Sequence, residues 1–157
     1  MAKIAIIMGS ISDKEIMEKA ADILKEMNIS YEMKVLSAHR TPDLLFKYIE
    51  KVEKHGFKVI IAGAGGAAHL AGAIASKTLL PVIGVPIETK ALGGLDSLLS
   101  MVQMPGGIPV ATVGIGNAKN AGLMAAHILA IENTKIRERL KGYREDMAQK
   151  IRDIKIL

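Results

Sequence analysis

The chain has 157 residues, half of them hydrophobic, and carries 21 Lys and Arg against 16 Asp and Glu for a formal net charge of +5. That length and apolar content suit one globular domain with a sizeable core, and the absence of cysteine excludes disulfides, thiolate catalysis and thiolate metal sites. The opening MAKIAIIMG reads as a strand and not a leader peptide, and no apolar run spans a bilayer without Gly, Pro or a charge, so the expectation is a soluble cytoplasmic protein.

Lys3–Met8 (KIAIIM) is short, apolar and Ile-rich, and ends in Gly9-Ser10, as a buried strand does. Asp13–Met27 sets Ile16, Met17, Ala20, Ile23, Leu24 and Met27 on one helical face, with acidic residues in the first turn. Tyr31–Leu36 alternates as a second strand. Thr41-Pro42 then starts a helix, Thr as a cap for unpaired N–H groups and Pro at the first helical position. That helix runs to Lys54, with Gly56 as its stop. Lys58–Ala62 is the third strand, and GAGGAAHLAGAIAS a glycine-rich turn opening a small-residue helix. Pro81–Val85 is the fourth strand. The long connection after it holds a short helix around Leu95–Val102. PVATVGI is the fifth strand, and NAKNAGLMAAHILAIE a helix apolar almost all round.

The tail from Asn133 to Leu157 places Ile136, Leu140, Tyr143, Met147, Ile151 and Ile154 three or four residues apart, one apolar stripe on a charged helix. It holds eight of the basic residues and four of the acidic ones, so residues 1–132 carry almost no net charge. The five aromatic residues lie outside any basic cluster, which argues against nucleic-acid binding and for a solvated helix face. Residues 1–132 read as an α/β domain that binds a mononucleotide, and 133–157 as an amphipathic helix belonging to that domain or to an oligomer interface. The apolar, Met-rich DSLLSMVQMPGGIPV is a second interface candidate.

Five unbroken apolar strands separated by helices imply a parallel sheet covered on both faces, a three-layer α/β domain. In a flavodoxin-like order 2-1-3-4-5, ligands bind at the carboxyl ends of the strands beside strand 1. The loops leaving strands 1, 2 and 3 are GSISD, SAHRTP and GAGGAAH, the most polar or glycine-rich turns of the chain. They are expected to share one crevice.

Each loop has a functional and a plain structural reading. Ser10, Ser12 and Asp13 of GSISD suit a phosphate and ribose hydroxyls at a helix N-terminus, or form an ordinary N-cap. The Gly63–His69 loop offers close backbone approach and N–H groups for a carboxylate or phosphate, or merely tight strand–helix packing; the dinucleotide fingerprint Gly-x-Gly-x-x-Gly is absent from GSISD. In SAHRTP, Arg40 can hold a phosphate bidentately and His39 can move protons near neutral pH. His55, before Gly56, suits a helix dipole, and His127 a core or interface. No His, Asp or Glu spacing resembles a metal site.

Taken together, MGSISD, SAHRTP, AGAGGAAHL, LPVIGVP and GLDSLLSMVQMPGGIPVATVGI resemble the PurE family, over about Lys3 to Leu129. The resemblance implies a homo-octamer without cofactor or metal that moves the carboxylate of N5-carboxyaminoimidazole ribonucleotide from nitrogen to C4 of the imidazole. Matched position by position, it makes His39 the catalytic histidine and Ser10, Asp13 and Arg40 nucleotide-binding residues. Ser12 and Ser37 become further phosphate or ribose contacts. Ala64, Gly65, His69 and Leu70 become the loop around the imidazole and the migrating carboxylate. A branch of the family carboxylates aminoimidazole ribonucleotide directly with CO2 and lacks the histidine of GGAAHL, so His69 implies the mutase. The chain departs from the family at HLAGA, where HLPGM is usual, a change expected to loosen the loop over the substrate. Two other readings stay open: a non-catalytic nucleotide-binding module, which has no use for His39, and a related carboxylase of another mononucleotide, for which extra sequence before the domain is expected.

Overall fold

The computed structural model describes residues 3–154; positions 1–2 and 155–157, the ends of the first strand and of the tail read above, lie outside the described residues. Strands and helices alternate as β1 (Lys3–Met8), α1 (Lys14–Glu26), β2 (Ser30–Val35), α2 (Pro42–Lys54), β3 (Phe57–Gly65), α3 (Leu70–Ala75), β4 (Val82–Ile87), α4 (Leu95–Val102), β5 (Ala111–Thr112), α5 (Ala118–Ala130) and α6 (Thr134–Arg152). The strands form one sheet in the order β2-β1-β3-β4-β5, every neighbouring pair parallel. This is the expected flavodoxin-like architecture.

Alternation along the strands divides the core in two. Ile4, Ile6 and Met8 of β1, with Val59 and Ile61 of β3, face α1 and α5, while Ala5, Ile7, Ile60 and Ala62 face α2 and α3. Period-2 side-chain geometry produces this split from runs that are apolar at every position between Ile4 and Met8 and between Val59 and Ala62, because both faces are covered. β2 forms one edge and keeps its outer residues polar. There Lys3 Nζ donates to Glu32 Oε2 at 2.8 Å, and a charged edge discourages pairing with a foreign strand.

The opposite edge departs from the sequence reading. Of PVATVGI, Ala111 and Thr112 alone form a strand, paired to Ile83 and Gly84. Gly84 O accepts from Val113 N at 3.0 Å and Pro86 O accepts from Gly116 N at 2.8 Å, so both residues face β5. Pro86 has no N–H to return, and the ladder ends there. β3 departs the other way. It continues through Gly65, because Ala64 and Gly65 still pair with Pro86 and Ile87.

Two glycines set how closely α1 sits. A Cβ on Gly63 of β3 would overlap Met17 Sδ, and a Cβ on Gly122 of α5 would overlap Ile23 Cγ2 and lie 2.9 Å from Ala20 O, both of α1. α1 therefore rests directly on β3 and on α5. Helix α6 covers α5 in turn. Its Asn133 cap accepts from Ile136 N at 3.1 Å, and Ile136 and Leu140 are buried in the same core layer. Arg137 donates to the carbonyls of Ala130 and Ile131, each at 3.1 Å, closing the end of α5. Part of the tail's basic excess thus serves helix ends as well as a solvated face. The apolar stripe splits here. Its first half joins the core, and Met147, Ile151 and Ile154 are exposed.

Candidate active site

Register brings the loops together. Met8 of β1 pairs with Val35 of β2 and with Gly63 of β3, so these strands end at one level. Two more bonds carry the pairing into the loops, Leu36 N to Met8 O at 2.9 Å and Gly9 N to Gly63 O at 3.1 Å. The result is a crevice of about 460 Å³, lined among others by Ser10, Ser12, Asp13, Ser37, His39, Arg40, Ala64, Gly65 and Leu70.

The GSISD loop is a capping box. Asp13 Oδ2 accepts from Ser10 N at 3.2 Å, and Ser10 Oγ accepts from Ser12 N at 3.4 Å and from Ser12 Oγ at 2.9 Å. The plain cap and the crevice wall are therefore the same residues: the cap occupies the backbone donors of Ser10 and Ser12 and leaves hydroxyls at the cavity. Asp13 is nearly buried. Burial pushes its carboxyl above the ordinary value of 3.8, against the opposing pull of the Ser10 backbone N–H, the Ser12 side chain and the Arg40 charge.

In SAHRTP the backbone folds round Ser37. Ser37 Oγ accepts from Arg40 N at 3.1 Å and from Arg40 Nε at 3.4 Å. Arg40 Nη2 donates to Gly9 O at 3.0 Å, tying the β2 loop to the β1 loop. The guanidinium is thus held in the plane of two loops, with further donors of its fork without a protein partner among the described residues. Thr41 does not cap α2 as its sequence position suggests. Its hydroxyl donates to Ser37 O at 3.1 Å and accepts from Ser37 N at 3.0 Å, closing the turn instead. Pro42 does stand at the helix start.

His39 Nε2 lies 2.9 Å from His69 Nδ1, and the rings meet edge to face with centroids 5.0 Å apart. Two imidazole nitrogens at that distance share one proton, so one ring donates and the other accepts. The contact needs a proton on one of these nitrogens and a lone pair on the other, so it tolerates one cationic ring and fails if both are cationic. It joins two loops 30 residues apart in sequence.

The glycine loop differs from expectation in its donors. Gly66 N donates to Ser97 Oγ at 2.9 Å, and the N–H groups of Ala68 and His69 donate to Gly66 O and Ala67 O, each at 2.8 Å. These three amides are committed within the protein. What the loop presents is a close wall of Ala64, Gly65 and Ala67. The change from HLPGM to HLAGA leaves α3 formed: Ala73 N donates to His69 O at 2.9 Å, and Ala71 is fully buried.

Sequence reasoning missed the fourth wall, Ile87, Glu88 and Thr89. The signal was present, because β4 lies next to β3 and its carboxyl end faces the same way. The remaining histidines lie elsewhere. His55 Nδ1 sits 2.6 Å from Lys51 O at the end of α2. His127 on α5 faces Arg144 of α6 at 3.4 Å, and burial and that charge push its pKa down. No helix among the described residues is long and apolar enough to cross a membrane.

The family model described as AIR carboxylase matches residues 3–150. The chain belongs to the AIR carboxylase family. Within that family it is 62% identical over 147 residues to the N5-carboxyaminoimidazole ribonucleotide mutase of Pyrococcus abyssi, covering 94% of this chain and 84% of the relative. It is 52% identical over 152 residues to that of Escherichia coli, covering 96% and 90%. A crystal structure of Treponema denticola PurE superposes with a TM-score of 0.90 at 32% identity, covering 96% of this chain and 94% of that one.

A pH-dependent stability follows for this member of the AIR carboxylase family. The folded protein binds the Asp13 proton more tightly than the unfolded chain does, so the carboxylate weakens the fold as pH rises from the unfolded value of 3.8 through the raised folded one. Asp13→Asn is expected to melt level with the wild type in acid and above it at neutral pH. Paired thermal melts from about pH 3 to about pH 8 check this; a variant advantage that shrinks with rising pH contradicts it.

Proposed function

We propose that this chain is an isomerase converting N5-carboxyaminoimidazole ribonucleotide to 4-carboxy-5-aminoimidazole ribonucleotide in purine biosynthesis. The observation that carries the reading is His39, which lines a crevice with Arg40, Asp13 and three serine hydroxyls and meets His69 at 2.9 Å. It gains support from the relatives named as N5-carboxyaminoimidazole ribonucleotide mutases, 52% to 62% identical.

In this reading the unpartnered donors of Arg40 hold the substrate phosphate, assisted by the hydroxyls of Ser10, Ser12 and Ser37. Asp13 accepts from the ribose. Ala64, Gly65 and Leu70 wall the imidazole, with His69 beside the migrating carboxylate. His39 begins as the imidazolium and gives a proton to the exocyclic nitrogen as its bond to the carboxylate carbon breaks. The products of that step are CO2 and aminoimidazole ribonucleotide. C4 then attacks the retained CO2, a carbon–carbon bond forms, and His39 takes back a proton from C4. One proton leaves the ring and one returns, so a single histidine performs both transfers and no redox partner is needed. Because His69 can accept from a cationic His39 and pair with a neutral one, the contact holds its geometry on both sides of each transfer. The close wall excludes water while CO2 is free.

The description of the family model favours a second reading, direct carboxylation of aminoimidazole ribonucleotide by CO2. His69 is the residue that argues against it. An absorbance assay separates them: turnover of N5-carboxyaminoimidazole ribonucleotide supports the mutase, and turnover of aminoimidazole ribonucleotide with CO2 or bicarbonate alone replaces it. In that assay His39→Asn is expected to lower kcat by about 10²–10⁴ while leaving nucleotide binding near wild type. Arg40→Ala is expected to weaken binding of the nucleotide and not of its dephosphorylated nucleoside. Equal losses for both ligands would remove the phosphate from Arg40.

The same reading takes the protein to be a homo-oligomer, an octamer by family resemblance. Leu95, Leu99 and Val102 of α4 and Met147, Ile151 and Ile154 of the tail are exposed apolar residues on two separate faces, which favours assembly. Light scattering on the native protein is expected to give several times the protomer mass, and a monomer with full activity overturns it.

A further inference from the structure

We infer that Ser97 is a positioning residue for the crevice, a single hydroxyl that locks the loop bearing His69 to the carboxyl end of β4. Ser97 lies in the first turn of α4 and has no solvent exposure. A buried hydroxyl is retained at a cost unless its hydrogen bonds are made. Here both are. Ser97 Oγ donates to Ile87 O at 2.6 Å and accepts from Gly66 N at 2.9 Å.

Those partners belong to two different walls. Ile87 is the last residue of β4 and lines the crevice. Gly66 stands at the turn of the glycine loop, at φ +67, three residues before His69. That backbone conformation is one that glycine reaches freely, so the loop has alternatives nearby and needs a tether to hold one of them. A bond from the end of β4 to the same helix reinforces it: Thr89 Oγ1 donates to Asp96 at 2.8 Å, while Ser100 Oγ donates to Asp96 O at 2.7 Å and lies 3.3 Å from Gly66 O. α4 thus grips both strands of the wall through its first turns. The reach of the tether extends further, because His69 pairs with His39 across the crevice. Removing the Ser97 hydroxyl frees the Gly66 amide and lets the loop, His69 and the His39 ring drift together.

This inference rests on the mutase reading for its activity assay, and one readout stands apart from that reading. In full-length protein, Ser97→Ala is expected to lower kcat by at least about tenfold with KM changed less than about threefold, since sub-ångström misplacement of a reacting group acts on the chemical step more than on binding. A purely structural serine would reduce the fraction of active enzyme, and active-site titration corrects for that. Hydrogen exchange at the Gly66 amide is expected to quicken in Ser97→Ala while the amides of β1 keep their protection. If the wild type turns over and folded Ser97→Ala matches its kcat, or if Gly66 exchange is unchanged, the inference is wrong. If the wild type itself does not turn over the substrate, the mutase reading fails and the exchange result still decides the tether. Should Ser97→Ala not fold, Ser97→Cys keeps the shape of the side chain with a weaker donor and acceptor; a smaller fall in kcat with faster Gly66 exchange supports the tether, and no change in either overturns it.

Discussion

The pairing of β1 with β2 on one side and β3 on the other is the constraint from which the crevice follows. Parallel strands leave the sheet at the same edge, and the register of Met8 with Val35 and with Gly63 makes three of them leave at the same height. Loops far apart in sequence then become neighbours without any long-range signal of their own. The parallel arrangement is possible because every crossover is a helix that finds an apolar face to cover. The unbroken apolar runs Ile4–Met8 of β1 and Val59–Ala62 of β3 satisfy both faces at once.

Within the crevice, most backbone donors are already engaged by the fold. The capping box takes Ser10 N and Ser12 N, the Ser37 turn takes Arg40 N, and Ser97 of α4 takes Gly66 N. What remains for a ligand is side-chain chemistry: hydroxyls, a guanidinium and two imidazoles. This division gives rigidity to the backbone and leaves recognition to groups that can adjust. It also explains the strained position of Asp13, which serves as a helix cap and is buried deeply enough that its charge is disfavoured. A residue chosen for stability alone would be neutral there.

Much of this was legible in the sequence, and the exceptions have physical causes. β1, α2 and α4 were readable from apolar runs, the Thr-Pro start and the Leu periodicity, all local signals. The convergence of GSISD, SAHRTP and GAGGAAH was readable because it follows from strand order. β5 was read too long, since the effect of Pro86 is exerted on a neighbouring strand and leaves no mark in PVATVGI itself. Thr41 was read as a cap because its place before Pro42 fits one, yet the Ser37 backbone competes for the same hydroxyl. The wall at Glu88 and Thr89 carries no glycine or serine cluster and so drew no notice. The contact of His39 with His69 is a matter of side-chain direction across 30 residues, which no periodicity encodes.

The seat of α1 against Gly122 has a consequence for how the chain comes to be made. α1 carries the Ser10–Asp13 wall at its head, yet the surface it lies on is supplied by α5, where Ala20 O stands 2.9 Å from the point a Cβ on Gly122 would occupy. The strands it covers are likewise incomplete until β3 has joined β1. A ribosome that has delivered only the first half of this polypeptide has therefore released every residue of the GSISD loop and of α1 without the helix that α1 packs against. The seat of α1 is completed only by residues that leave the exit tunnel late, so synthesis presents the nascent chain with a long interval in which the GSISD loop is out and the layer behind it is unfinished.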